Sequence, residues 1–123
     1  MMKTEKYTNT HLSIEVIENE TTIDVKWKGK SIDREPGKFI SPILVKVLDM
    51  AGALNKRIFM DFQNLSYMNS STITPIIKIL DRAQKGMTKI TITYKKALKW
   101  QELNFTALEV FRTNDNRLEI KGL

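Results

Sequence analysis

A run of small polar side chains stands directly before a predicted helix, and it is the part of this sequence best suited to contact another molecule. The run comprises Asn69, Ser70, Ser71, Thr72 and, two residues further on, Thr74. Amide and hydroxyl groups at such a position accept hydrogen bonds from the free N–H groups of the first helical turn. A single cap needs only one of them, so the others are candidates for binding at the surface.

The sequence offers little that supports catalysis. It contains no cysteine and one histidine, His11, which lies in a polar N-terminal stretch. A serine nucleophile needs a base within hydrogen-bond reach. The carboxylates of Asp33 and Glu35 stand in a loop beside basic residues, which is typical of solvated charge rather than of an acid–base pair. We therefore expect no enzymatic activity, no catalytic residue, no metal site and no cofactor.

Length and composition indicate one globular domain. The 123 residues are 41% hydrophobic and 28% charged, as is usual for folded proteins and unusual for disordered chains. We expect residues 1–11 to form a flexible leader and residues 12–123 to form the domain. No apolar run approaches the roughly 18 residues that a membrane span needs. The absence of cysteine fits a reducing compartment, so we expect a cytoplasmic protein.

Positive charge is concentrated in one stretch of a chain whose net charge is +6. No acidic residue stands between Asp81 and Glu102. That interval holds six basic residues, namely Arg82, Lys85, Lys89, Lys95, Lys96 and Lys99. Such a stretch forms either a solvated surface or a contact for an acidic protein, a phosphate or a nucleic acid. Because Tyr94 and Trp100 interleave with the lysines, a nucleic-acid-binding domain using residues 82–101 is an alternative to our leading interpretation, protein binding.

Hydrophobic periodicity predicts strands and one helix in the first half of the chain. Residues His11–Glu18 and Thr22–Lys28 form a predicted hairpin, because apolar and polar residues alternate in the second run. Residues 29–38 form a predicted loop. Ser41 and Pro42 are a cap and a first-turn proline, so the helix is expected to begin there.

The second half continues the alternation. Arg57–Phe62 suits a buried strand, Gln63–Ser71 is a predicted loop, and a helix is expected from Pro75 to the Lys85-Gly86 pair. The remaining predicted elements are a strand at Lys89–Tyr94, a helix at Ala97–Leu103 and paired strands at Val110–Arg112 and Leu118–Lys121. The order β-β-α-β-α-β-α-β predicts an α/β domain with a mixed sheet and an N-terminal β-hairpin.

The two predicted long helices are expected to pack on the same side of that sheet. Their apolar residues recur at helical spacing, which places them on one face of each helix. The predicted core residues of these helices are Ile43, Leu44, Val47 and Leu48 in the first and Ile76, Ile77 and Leu80 in the second.

The segment Asp61–Ile73 resembles a pattern of the STAS domain, the fold of bacterial anti-sigma factor antagonists. The pattern is a strand that ends in Asp, a loop of the form x-x-L-x-x-M, and D-S-S-G before an amphipathic helix. The matching residues are Asp61, Leu65, Met68, Ser70 and Ser71, while Asn69 and Thr72 replace the acidic residue and the glycine. Gly29–Asp33 is similar to the family's G-x-L-D segment. The resemblance implies a STAS-like single domain with a mixed central sheet and helices packed mainly on one face.

The resemblance also implies a non-catalytic regulatory module that works by partner switching. In that family the first Ser of D-S-S-G is phosphorylated by a partner kinase that is also an anti-sigma factor, and a PP2C-type phosphatase reverses the modification. This assigns phosphorylation to Ser70, with Ser71 and Thr72 as alternative acceptors. The residues implied in partner binding are Asp33, Tyr67, Asn69, Ser70, Ser71, Thr72 and Thr74.

A second family has a similar sequence at the same place. The run Asn69–Ile73 resembles small bacterial regulatory phosphoproteins that are controlled by a kinase and a phosphatase and that act on a diguanylate cyclase. This resemblance implies the same switch with a different downstream target, a signalling enzyme.

Overall fold

The structure is a computed structural model that describes residues 3–123, and it is built on one sheet of six strands in the order β1-β2-β3-β4-β5-β6. The strands are β1 Lys3–Asn9, β2 Leu12–Glu18, β3 Thr22–Ser31, β4 Arg57–Met68, β5 Ile90–Tyr94 and β6 Leu118–Gly122. The helices are α1 Gly37–Leu54, α2 Ile73–Lys85 and α3 Lys99–Thr106, with short 3-10 helices at Ser70–Thr72 and Ala107–Phe111.

The sheet is mixed, as the element order predicts. Strands β1, β2 and β3 are antiparallel, and β3, β4, β5 and β6 run parallel. Each of the three helices joins two neighbouring parallel strands, so right-handed crossovers put all of them on the same face. The predicted α/β class, with helices on one face, is confirmed. None of the helices within residues 3–123 is long and apolar enough to cross a membrane.

The two faces of the sheet differ in polarity because buried apolar residues alternate with polar ones along each central strand. The helix-covered face carries the core. The opposite face, which we call the uncovered face, is polar. One row across it consists of Lys6, Glu15, Lys26, Asp61, Thr93 and Lys121.

Strand β3 runs past the predicted end at Lys28 because Gly29 allows a bulge rather than a stop. Its φ is +93°, and an added Cβ would lie 2.2 Å from the carbonyl oxygen of His11. Only glycine fits this conformation and this close approach. The pairing of β3 with β4 shifts register on both sides of Lys28, between Lys26 and Lys28 and between Gly29 and Lys30. The strand therefore continues to Ser31, where the prediction of a loop is wrong.

Strand β4 likewise extends beyond Phe62 to Met68, through most of the predicted loop. Leu65 is fully buried, and the polar residues between the apolar ones face outward. The buried side chain of Gln101 on α3 supports this extension. Its amide nitrogen donates to the carbonyl oxygens of Phe62 (2.7 Å) and Leu65 (2.9 Å), and its amide oxygen accepts from the N–H of Lys95 (2.7 Å).

Helix α1 begins at Gly37, one turn before the predicted start at Ser41, so that prediction is wrong. The apolar stripe that faces the sheet starts at Ile40, which is fully buried. Extending the helix to cover Ile40 places Pro42 inside it, where only the hydrogen bond to the carbonyl of Lys38 is missing.

The prediction of a flexible leader is wrong for residues 3–9, because they form β1 and pair with β2 along their whole length. This strand lacks apolar alternation, which is why its sequence looks like a leader. Its side chains contact α1 instead: the Nζ of Lys46 lies 2.9 Å from a Glu5 carboxylate oxygen. The Tyr7 hydroxyl and Lys46 both hold the pKa of the Glu5 carboxyl below its usual value. Residues 1 and 2 lie outside the described residues, and the assignment of residues 12–123 to one domain stays a prediction.

The predicted strand pair near the C-terminus is wrong in its first member. Val110 and Phe111 lie in a 3-10 helix, and β6 pairs in parallel with β5. The apolar residues of β6 lie beside those of β5 in register, which buries both. Arg112 then bonds the edge of β6 through the carbonyl of Ile120 at 2.9 Å.

Two apolar helix residues whose spacing predicts a place in the core lie at the surface, namely Leu54 at the end of α1 and Ile77 on α2. Ile77 is 37% exposed and Ile76 is 1% exposed, and Ile79, which the prediction did not include, is buried in place of Ile77. The helix is rotated relative to the predicted face because the core stripe runs along Ile76, Ile79, Leu80 and Ala83.

These two adjacent isoleucines provide a matched test of the fold. We expect Ile76→Ala to lower the free energy of unfolding by roughly 2–5 kcal/mol, since it leaves a cavity in the core. Ile77→Ala should cost about 1 kcal/mol or less, because its side chain is partly in water. Urea denaturation of both variants measures the difference, and equal losses would contradict the orientation of α2.

Candidate functional site

The predicted site lies where β4 ends and α2 begins, at the carboxyl edge of the parallel strands. Ser70 and Ser71 open a 3-10 turn that continues directly into α2. Ligands and partners commonly meet open α/β sheets at this edge. Ser70, Ser71 and Thr74 are exposed there, as the sequence predicts.

Asn69 organises this turn through both its backbone and its side chain. Its N–H donates to the carbonyl oxygen of Ser31 at 2.9 Å, which extends the β3–β4 pairing. Its side-chain oxygen accepts from the N–H of Thr72 (3.1 Å) and from the Thr72 hydroxyl (2.8 Å). Its amide nitrogen donates to the carbonyl oxygen of Asp33 at 2.7 Å. Asn69 is therefore the helix cap, and it is committed to internal contacts.

Thr72 is a structural residue. Its side chain is fully buried and its hydroxyl lies 2.6 Å from that of Ser31. A hydroxyl has one proton, and Thr72 donates it to Asn69, so Ser31 must donate to Thr72. The prediction that Thr72 contacts a partner, or accepts a phosphate, is wrong for the folded protein.

The two departures from the STAS pattern are thus one structural unit. The Asn69 side chain caps the turn, and the hydroxyl of Thr72 fills the space that a glycine would leave and binds that cap. Neither residue makes this contact without the other. The sequence shows both residues but not their coupling, since the buried partner, Ser31, lies far away in the chain.

Two exposed apolar side chains flank the serines. Tyr67 is 48% exposed on β4, and Ile32 is 45% exposed directly after β3. The predicted partner residue Asp33 is exposed as well and accepts a hydrogen bond from the Asn9 side chain. Asp33, Tyr67 and Ser70 are thus all exposed at the ends of β3 and β4, and Ile32, which the sequence did not single out, is exposed there as well.

The remaining residues of the matching pattern have structural roles. Leu65 and Met68 are buried in the core. Asp61 lies in mid-strand on the uncovered face, where its carboxylate accepts from the N–H of Gln63 at 2.9 Å and from the Thr93 hydroxyl at 3.2 Å. These three positions specify the strand and its exit, which leaves Ser70 and Ser71 as the surface part of the motif.

The basic stretch is arranged differently from the pattern that nucleic-acid binding requires. Tyr94 is 4% exposed and stacks on Phe105 with ring centroids 5.7 Å apart, so it offers no surface for a base. Burial, with the Glu102 and Glu109 carboxylates adding to it, raises the pKa of the Tyr94 hydroxyl. Trp100 is half-buried and lies 6.5 Å from Tyr67 between ring centroids. The aromatic partner of Trp100 is therefore the tyrosine beside the serines.

The described part of the chain, residues 3–123, holds no group of three or more His, Asp or Glu side chains that could bind a metal ion. Within it, Asp33 and Glu35 are both exposed, and Glu35 pairs with Lys38 at 2.7 Å. The site is a protein surface built from a helix start, two serines and apolar neighbours.

Comparisons with known proteins agree with this architecture. The model of a family described as SiaC family regulatory phosphoprotein matches residues 7–101. A crystal structure of an uncharacterized Shewanella loihica protein with a SpoIIAA-like fold is similar with a TM-score of 0.52 and 15% sequence identity, covering 95% of this chain and 90% of that chain. That likeness concerns the fold, and it confirms the predicted STAS-like architecture. No curated protein matches the sequence.

The buried hydroxyl pair gives a stability prediction. We expect Thr72→Val to cost about 1–3 kcal/mol of unfolding free energy, because it leaves the Ser31 hydroxyl without its acceptor in the core. The double variant Ser31→Ala with Thr72→Val should cost less than the sum of the two single changes. Thr74→Val, at an exposed threonine, should stay within about 0.5 kcal/mol. Strict additivity in denaturant unfolding would show that the two hydroxyls do not interact.

Proposed function

The chain belongs to the SiaC family of regulatory phosphoproteins, and on that premise we propose that Ser70 is the residue whose phosphorylation controls binding to a partner protein. The observation that carries the proposal is the contrast between neighbours. Ser70 is exposed at the start of a helix, whereas Thr72 is buried with its hydroxyl bonded inside. Of the three candidate acceptors, Ser70 and Ser71 have their hydroxyl groups on exposed residues, and Thr72 does not.

The local electrostatics favour a phosphate at this place. No acidic residue lies in the first turn of the 3-10 helix or of α2. A helix start has free N–H groups and a positive dipole end, which stabilise an anion. The Asn69 cap replaces the acidic residue of the STAS pattern, so the residue directly before Ser70 carries no charge. A phosphate is therefore compatible with the folded state.

The same phosphate weakens a complex. It adds about −1.5 to −2 charges at neutral pH. At a surface flanked by the apolar side chains of Ile32 and Tyr67, a bound partner would have to desolvate that charge. Because hydrogen bonds from Asn69 and Thr72 hold the turn in place, we propose that phosphorylation changes affinity without changing the fold.

The proposal assigns three kinds of protein partner. A protein kinase adds the phosphate, a PP2C-type phosphatase removes it, and a target protein binds the unmodified surface. Under the first resemblance the kinase is also the target, an anti-sigma factor. Under the second, the target is a signalling enzyme such as a diguanylate cyclase. We propose that the chain itself is not an enzyme and that it acts in the cytoplasm, where a kinase has ATP.

The switch is tested with two substitutions at one residue. We expect Ser70→Ala to fold and to retain the target, because Asn69 still caps the turn. Ser70→Asp should fold equally well. It should make the binding free energy of the target less favourable by about 1–3 kcal/mol, the cost of an unpaired charge in an interface. Target proteins are captured from the native cell with each variant and identified by mass spectrometry, and calorimetry with the purified target then gives the affinities.

Thr21→Asp is the matched control, since it adds the same charge at an exposed residue at the other end of β3. It should leave target affinity unchanged. Phosphopeptide mapping of the native protein should find the phosphate on Ser70. Equal affinity for wild type and Ser70→Asp, or a phosphate found only on another residue, would contradict the proposal.

A further inference from the structure

The exposed apolar surface at Ser70 continues onto α3. Tyr67 lies against Trp100, and Leu103 follows Trp100 at a spacing of three residues, which places both on one face of the helix. Leu103 is 74% exposed. Contiguous exposed apolar side chains mark interaction sites, and tyrosine and tryptophan are frequent anchors in protein interfaces.

Three exposed lysines lie close to Trp100 in the chain, two directly after β5 and one at the start of α3. Lys95, Lys96 and Lys99 are all exposed, and within residues 3–123 none of them forms an ion pair, unlike Lys46 and Lys85. Burial of Tyr94 and the bond from Lys95 N–H to Gln101 hold the strand end from which the first two lysines project.

Lys99 occupies a position that is electrostatically unfavourable for a cation. It is the first residue of α3, where a cation opposes the positive end of the helix dipole. The residue before it, Leu98, provides no side-chain cap. The first turn of α3 holds one acidic residue, Glu102, against the three lysines. A carboxylate from a partner would add to it and also accept from the free N–H groups of this turn.

We propose that Tyr67, Trp100 and Leu103, together with Lys95, Lys96 and Lys99, form a docking surface for an acidic segment of a partner protein that carries an apolar anchor. We call it the aromatic–lysine surface. The inference rests on the proposed function, because it describes the partner that the Ser70 switch releases. Tyr67 is shared by both and lies three residues before Ser70. A phosphate there repels the acids that the lysines attract.

Protein fits this surface better than nucleic acid does. Leu103 is aliphatic and largely exposed, and it favours an apolar side chain over a base. With Tyr94 buried, the lysines lack the succession of aromatic platforms on which bases of a single strand stack.

The test uses a defined probe, a fluorescein-labelled synthetic peptide that holds leucine and phenylalanine among glutamates and aspartates. A second peptide has glutamine and asparagine at the acidic positions, and a third probe is a short labelled oligothymidylate. We expect the acidic peptide to bind the wild-type protein at low salt. Its affinity should fall as salt is added, because salt screens the attraction between opposite charges. The neutral peptide and the oligothymidylate should bind at least about tenfold more weakly.

Two triple variants separate the local surface from overall charge. The affinity for the acidic peptide should fall about tenfold when alanine replaces Lys95, Lys96 and Lys99. Leu103→Ser should lower this affinity by a comparable factor. The control replaces Lys6, Lys26 and Lys28, three exposed lysines on the uncovered face, and should change affinity less than about twofold. Circular dichroism should find all variants folded, since exposed substitutions rarely affect stability.

Four results would overturn the proposal. They are the absence of acidic-peptide binding to the wild-type protein, an equal loss in both triple variants, tighter binding of the oligothymidylate, and a self-association in sedimentation that the Lys95/Lys96/Lys99 variant abolishes.

The Ser70 switch fails separately. If the acidic peptide binds but Ser70→Asp leaves the affinity for the target unchanged, the proposal of a docking surface stands and the proposal of a switch is rejected. If Ser70→Asp loses binding to the target but the acidic peptide does not bind the wild-type protein, the switch stands and the docking surface is rejected.

Discussion

The parallel pairing of β3 with β4 is the constraint on which the rest of the structure depends. These two strands lie at the centre of the sheet, and their pairing runs from Thr22 and Arg57 to Ser31 and Met68. The bulge at Gly29 lets the pairing continue where a regular strand would clash with His11. Because both strands end at the same edge, the turn that carries Ser70 leaves the sheet beside the loop after β3.

That geometry explains why the turn that carries Ser70 is held in place by hydrogen bonds although it is not part of the sheet. Ser31 at the end of β3 and Thr72 at the start of α2 share a buried hydrogen bond, and Asn69 joins both segments. Buried polar groups of this kind stabilise only when all of them are paired, and here they are. Under the proposed switch, a charge added on Ser70 would therefore change binding rather than the fold beneath it.

The alternation of apolar and polar residues predicts most of the elements, because a strand or helix that is buried on one side has apolar residues at regular spacing in its sequence. It fails for β1, which is held by pairing with β2 and by polar contacts of Glu5 and Tyr7 with Lys46 rather than by a row of apolar side chains. It also fails for the second half of β4, where the supporting contacts come from Gln101, 36 and 39 residues away. The prediction for Ile77 is wrong because Ile77 directly follows the buried Ile76 in α2, and a small rotation of the helix decides which of the two faces the core.

The sequence by itself determined the class of fold, and it indicated the segment around Ser70 as the proposed site, because both follow from local patterns and a short motif. Only the tertiary structure decided which hydroxyls reach the surface. Thr72 and Ser70 are alike in sequence context, but one is buried against Ser31 and the other is exposed. It also decided that Trp100 lies beside Tyr67 rather than in a row with Tyr94. Such outcomes depend on contacts between residues far apart in the chain, and no local pattern records them.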